Sequence, residues 1–547
     1  MRRQLWTTVS LALSILTALS LTSAQNQLDS RNDLLENGHQ QRPFMPRLRT
    51  GQSPQTVKNN AGGYARFDGE KVLRVQVSTY GQLERLTALV EENNLDLWSP
   101  LRIGAVDVRV PASLLDRFGL QSSLDYSVMI PNLQDLIPDQ PPSSSLGLGQ
   151  TQEWNFLNNT FWENYHDLAT INKFMETLSS KYPKLVKRVS IGKTHEGREI
   201  FGLSIHGYKR KKKRSRKSEF WNEDMEEEVG EEEVEEDDDD DDNEDDENLE
   251  EFVEETVDDM ADGLLAWIKH NFGLEPTFPK KGKKPSRPKK NPKAIVIHAG
   301  LHAREWIGPA VVTYLAKELT RGYKRNKKIT RLVNRFEFVL VPLLNADGYV
   351  YTWEQNRMWR KNRQPTSIEK CPGIDPNRNW GYQWTSGGVY DNPCNEGYQG
   401  PEAFASHEAK MMADYIQKRK NVVSYIDFHA YSQLWLTPFG VDCDKVPKDD
   451  EDITEAAMGA AKALHTVHGK RFAVGSVCNL VLKATGGSID WTYAVGKVKY
   501  SYEVQLRDTG RYGFLLPESE ILPSSEETFA AILYLANFIR VREKQWG

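Results

Sequence analysis

Hydrophobic and polar positions alternate along this chain in two distinct stretches. In the first, KVLRVQV (71–77) alternates apolar and polar residues with the two-residue period of a half-buried strand. YGQLERLTALVEENN then shows helical spacing, AVDVRVP reads as a strand, ASLLDRFGLQS as a second helix and YSVMI as a last strand. This strand–helix–strand–helix–strand order predicts a small α+β open sandwich over residues 64–137. In the second stretch, from residue 157 to the end, a helical pattern (HDLATINKFMETLSSKYP) is followed by strand-like runs: REIFGLSI, KAIVIHAG, FEFVLVPL, VVSYIDFHA and KYSYEVQL. Helices alternating with apolar strands predict a layered α/β domain.

Charge and composition mark what lies between and before these patterns. Residues 208–293 run from YKRKKKRSRK through EEEVEEDDDDDDNEDDENLEE to PKKGKKPSRPKKNPK. Like charge this dense builds no core, so the segment reads as an exposed, disordered insertion, with MADGLLAWIKHNFG as a short amphipathic helix inside it. Residues 138–156 form a Pro/Ser/Gly linker, and residues 25–63 a polar disordered segment. Residues 1–24 carry Arg2 and Arg3, a short apolar run and small residues up to Ala24, the layout of a secretory signal peptide. That run is shorter than the roughly 20 residues that span a bilayer. A soluble, secreted protein is expected, with no membrane partner. The leader also argues against reading the basic run as a nuclear address. The formal net charge of −7 gives no reason to expect nucleic acid.

The four cysteines, Cys371, Cys394, Cys443 and Cys478, suggest disulfides in a secreted chain. Three pairings are open, and the sequential one closes the shortest loops. The sequon at Asn158 suggests glycosylation.

Candidate chemistry starts in HAGLHAREW. His302 and Glu305, three residues apart after an apolar strand, are expected on one face of a helix start. Imidazole nitrogen and carboxylate oxygen both suit zinc. A lone H-x-x-E arises by chance in many chains, so a distant third ligand is needed. His429, at the end of the strand in YIDFHAYSQ, offers one; by itself it reads more readily as a buried core histidine. NRMWRKNR presents Arg357, Arg360 and Arg363, and DPNRNW presents Asn377 and Arg378. Arginine suits fork-like recognition of a carboxylate.

With HAREW, NRMWRKNR, DPNRNW, DFHAYSQ, GGSIDW and LRDTGRYGFLLP in this order, the chain resembles the zinc carboxypeptidases related to pancreatic carboxypeptidase A. The resemblance covers Trp162 to about Arg540 outside the insertion, and residues 64–136 resemble that family's activation propeptide. It implies an α/β fold with a mixed central sheet flanked by helices. It implies one Zn2+ per chain held by His302, Glu305 and His429. Arg360 falls where the scissile carbonyl is polarised, and Asn377 and Arg378 where a peptide's terminal carboxylate is gripped. Arg304 and Tyr431 fall at outer subsites, and Ile489 at the floor of the side-chain pocket. An acid at that floor position would mark a preference for Lys or Arg ends, so Ile489 implies an apolar or aromatic C-terminal residue. Cys371 and Cys394 match the family's common disulfide.

Three departures matter. The family's glutamate before LRDTG, its general base, is Gln505 here, and an amide neither takes nor gives a proton near neutral pH. The family's tyrosine before KATGG, which closes over substrate, is Leu482. Glu503 lies on the same face of the strand as Gln505, but taking over its place would need a register shift that a buried strand resists. The connector between Asn132 and Asn172 also lacks Lys and Arg, so tryptic release of the propeptide is not expected. The chain thus resembles the fungal inactive metallocarboxypeptidase-like proteins, a group linked to cell-wall organisation. The expectation is a secreted, monomeric pseudoenzyme, in the medium, wall or vacuole, that binds peptide or protein C-termini. The alternative is a slow but active carboxypeptidase.

Overall fold

The computed structural model describes residues 63–116, 118, 124–139, 159–207, 292–386, 389–481 and 483–546. The leader, nearly all of the polar segment and linker, Asn158, Leu482 and the body of the charged insertion lie outside the described residues.

The first pattern folds into a four-stranded antiparallel sheet. Its elements are β1 (Lys71–Val77), α1 (Tyr80–Asn93), β2 (Asp96–Leu97), β3 (Gly104–Val110) and β4 (Tyr126–Ile130), with strand order β2-β3-β1-β4. α1 starts where Thr79 and Gln82 form a reciprocal capping box and stops where Asn94 turns left-handed at φ 49°. Its Leu86, Leu89 and Val90 pack against Leu73, Val75, Val106 and Val108 of the sheet. The two-residue β2 was not expected, and the expected second helix opens as a 3-10 turn at Ala112–Leu114 and continues as α-helix at Leu115 and Asp116. The sheet's other side continues into the main core, where Phe67, Val72, Trp98, Ile130 and Leu133 join one cluster with residues of the second domain.

The second pattern folds around an eight-stranded mixed sheet. In chain order come α2 (Leu168–Lys181), β5 (Val186–Lys193), β6 (Glu199–Ile205), β7 (Lys293–Ala299), α3 (Ile307–Gly322), α4 (Lys327–Arg335), β8 (Phe336–Val341) and α5 (Ala346–Glu354). Then follow α6 (His407–Lys418), β9 (Val422–Ala430), β10 (Leu434–Thr437), α7 (Asp450–His468), β11 (Ala473–Ser476), α8 (Ser488–Ala494), β12 (Tyr500–Leu506) and α9 (Ile521–Trp546). Because Lys293 already belongs to β7, the insertion ends before it.

Strand order is β11-β10-β12-β9-β7-β8-β6-β5. The central β12, β9, β7 and β8 run parallel, β6 runs antiparallel to β8 and β5 to β6, and β10 runs antiparallel to β12 and parallel to β11. Six of the seven residues of β7 are buried, as expected of a strand covered by helices on both faces. Functional side chains of such sheets gather beyond the carboxyl ends of the parallel strands. The cysteines pair sequentially, Cys371–Cys394 and Cys443–Cys478, the pairing with the shortest loops.

Candidate metal centre

The carboxyl end of β7 leads into the centre through Gly300. Its φ of +66° is left-handed, which favours glycine, and a Cβ there would sit 2.4 Å from Leu343 Cδ1, so that Leu343 would have to shift. His302 and Glu305 follow in a tight turn rather than in a helix, since α3 starts only at Ile307. His429 arrives from the carboxyl end of the neighbouring parallel strand β9. The three side chains are buried, and one donor atom from each lies within 4.8 Å of the others. Nδ1 of His302 is 2.9 Å from Glu305 Oε1, and Nδ1 of His429 is 2.9 Å from Glu305 Oε2.

Two carboxylates that sequence reasoning did not single out stand behind the imidazoles. Asp375 Oδ1 lies 2.9 Å from His302 Nε2, and Asp427 Oδ2 lies 3.1 Å from His429 Nε2. Each ring's far nitrogen is thereby tied to an acid, which fixes its tautomer and leaves both Nδ1 atoms facing Glu305. That is the carboxylate–histidine arrangement of zinc sites, so the donor set fits the metal. Burial opposes ionisation of Asp375, yet Arg360 and His302 hold it well below the usual carboxylate range. Burial likewise opposes the Glu305 charge, and His302 and His429 outweigh it.

The arginines separate by role. Arg360 lies 3.9 Å from Glu305 Oε1 and bonds Asp375 Oδ2 at 2.8 Å, so it faces the centre. Arg357 donates to the carbonyls of Arg304 and Phe514, and Arg363 stacks on Tyr351 and Trp359, so both serve packing. Asn377 receives the Ser488 amide on Oδ1 (2.9 Å) and donates from Nδ2 to Glu503 Oε2 (3.1 Å). Arg378 donates to the Asn377 carbonyl, while its buried Nε has no hydrogen-bond partner. His302, Glu305, Arg360, Asn377, Arg378, His429, Tyr431 and Ile489 all line one cavity of about 140 Å³. Gln505 and Glu503 line it too. Gln505 pairs with His429 across the β12–β9 ladder and with Leu434 across β10, so the register is unshifted. Its Nε2 donates to Glu503 Oε1 at 3.1 Å.

The first domain roofs this cavity with Leu95, Leu97, Trp98, Ser99 and Pro100. Two residues expected at outer subsites are engaged by it. Arg304, fully buried, holds Asp96 through two bonds, Nη1–Oδ2 at 2.7 Å and Nη2–Oδ1 at 3.1 Å, and lies 4.1 Å over Phe514. Tyr431 donates its hydroxyl to Asp107 (2.8 Å), and Trp98 packs on Tyr431 and Phe514.

The profile of the zinc carboxypeptidases matches residues 171–225 and 269–531, and that of the carboxypeptidase activation peptide matches residues 73–140. The chain belongs to the zinc carboxypeptidase family. Its cofactor is zinc, one ion per chain, and the first domain is an activation-peptide domain, the prosegment below. The inactive metallocarboxypeptidase ECM14 of Ajellomyces capsulatus is 31% identical over 539 residues, covering 92% of this chain and 75% of that protein. Mouse carboxypeptidase A4 is 34% identical over 487 residues, covering 87% and 95%. The crystal structure of thrombin activatable fibrinolysis inhibitor superposes with a TM-score of 0.65 at 26% identity, over 86% of this chain and 98% of that one. No helix among the described residues of this carboxypeptidase relative is long and apolar enough to cross a membrane.

Proposed function

We propose that this protein is a secreted, zinc-binding member of the family that binds peptide C-termini and hydrolyses them little or not at all. The observation that carries this reading is Gln505. It occupies the strand position opposite His429, lines the metal cavity, and presents an amide where the family's general base is expected. Bound at His302, Glu305 and His429, zinc would acidify a water molecule and polarise a carbonyl. Arg360 would orient that carbonyl, and Arg378, aided by Asn377, would hold the terminal carboxylate. No side chain at position 505 would then take the proton or pass it to the leaving amine. Loss of such a group costs about 10²- to 10⁴-fold in rate. Glu503 shares the cavity, but it stands two residues along β12 from that position, and hydrogen bonds from Asn377 and Gln505 hold it there.

Similarity alone leaves the question open. Proteins named inactive and proteins named carboxypeptidase A4 or B match at comparable identity. Position 505 separates the two readings. Secretion rests on the leader, and action at the cell wall rests on the resemblance to the fungal group alone.

The test compares native protein with Gln505→Glu, alone and with Leu482→Tyr, on peptides ending in Phe or Arg, with product separation as the readout. Native turnover should be negligible, and Gln505→Glu should raise it by at least about tenfold. Robust native hydrolysis that a chelator abolishes would overturn the proposal.

A further inference from the structure

The side-chain pocket does not have the character that its floor residue implies. Ile489, which the resemblance puts at the floor, lines the cavity and is buried and apolar. An acid enters the same cavity from the strand β12. Glu503, on β12, is 9% exposed and receives only two neutral donors, Asn377 Nδ2 and Gln505 Nε2, each at 3.1 Å. The nearby cations are engaged elsewhere: Arg360 by Asp375, Arg378 by the Asn377 carbonyl, and Lys445 by the Tyr382 hydroxyl. Among the described residues no ion pair reaches Glu503, although a buried charge is ordinarily paired.

A second acid deepens the negative field. Asp490 also lines the cavity, and burial pushes its carboxyl up to about 6. The Gly440 and Val441 amides and Lys445 pull it down, while the Glu503 charge adds to the rise.

We propose that Glu503 makes this pocket selective for a C-terminal residue with a cationic side chain, lysine or arginine. The inference rests on the reading that the cavity takes peptide C-termini. Such a residue carries two opposite charges at its end. The α-carboxylate meets Arg378, whose buried Nε lacks a partner, and the side-chain cation meets Glu503. A phenylalanine end would satisfy the first contact and leave Glu503 buried beside a ring with no cation. The apolar preference implied by Ile489 is thus reversed by a residue two positions from the missing base.

The test is calorimetric titration of zinc-loaded full-length protein with two blocked dipeptides that differ only in a C-terminal Arg or Phe. The native protein should bind the Arg peptide at least about tenfold more tightly, a modest part of what a buried charge pair contributes. Glu503→Gln should bring the ratio to one or below, and Glu503→Asp, which keeps the charge, should retain part of the preference. Melting curves establish that each variant is folded, and if one is not, the native ratio still decides. A native protein that binds the Phe peptide as well or better, or a ratio unchanged in Glu503→Gln, would overturn the inference and leave C-terminus binding intact. Binding of neither peptide would overturn both.

Discussion

Replacing Asp96 by alanine would leave the guanidinium of Arg304 buried between the prosegment and Phe514 without a carboxylate. Arg304 has no exposed surface and cannot turn to solvent in place. Breaking a buried pair by removing one partner costs about 3–5 kcal/mol, mostly from the stranded charge. Arg109, 3.2 Å from the same carboxylate, keeps Glu70 at 3.3 Å and loses less. Glu396 moves the other way, because burial and then the Asp96 charge raise its carboxyl, and that repulsion would vanish. The low end, about 3 kcal/mol, is therefore expected, which corresponds to about a hundredfold rise in the open population of the prosegment. Amide hydrogen exchange at Ala65, whose N–H donates to the Gln355 carbonyl of the second domain at 2.7 Å, reads that population, and exchange there should accelerate by about the same factor. Asp68→Ala is the control. Its pair with Arg66 is exposed, 61% and 39%, and its removal should change nothing measurable. Unchanged exchange in Asp96→Ala, or an equal acceleration in Asp68→Ala, would refute the claim that this ion pair fastens the prosegment. Burial opposes the Asp96 charge, but Arg304 and Arg109 hold its carboxyl below the ordinary value. Its contribution is then complete above the unfolded value of about 3.9 and is lost as pH falls through the folded one.

Two further outcomes follow from the site. Purified protein should hold one zinc by elemental analysis; chelation should lower its melting midpoint by at least about 5 °C, with recovery on reloading, and His429→Ala should hold almost none. Identical melting with and without chelator would argue that the three ligands do not bind metal. Asp490, with its carboxyl raised to about 6, binds a proton more tightly folded than unfolded, so its share of stability falls as pH rises from about 4 to 6 and stays low above. Asp490→Asn should flatten that part of the denaturation profile, by at most about 3 kcal/mol across the window, and an unaltered slope would count against the raised value.

The central strands were legible because both their faces are covered, which makes them continuous apolar runs. The outlying strands were not: the edge strand β5 is mostly exposed or half-buried, and β10 and β11 are four residues each, too short for a period to show. His302, Glu305 and His429 were legible as a set only through the order of several motifs. Asp375 and Asp427 stood in quoted motifs, yet a carboxylate that orients a ligand looks like any other until the ring it holds is placed. The Asp96–Arg304 pair joins residues 208 apart, a separation no local pattern encodes. That Glu503 and Gln505 share a face followed from strand parity. That the face opens onto Asn377 and Ile489 depended on how α8 and the loop before it close over the sheet.

Gln505 sits in a strand laced to neighbours on both edges, which has a consequence for how such a protein changes over time. Its main chain cannot swing aside, so whatever side chain stands there is delivered to the same spot. Exchanging acid for amide alters one functional group and leaves the scaffold's folding instructions untouched. Loss of turnover, or its return, is therefore within reach of a single replacement, without passing through a misfolded ancestor.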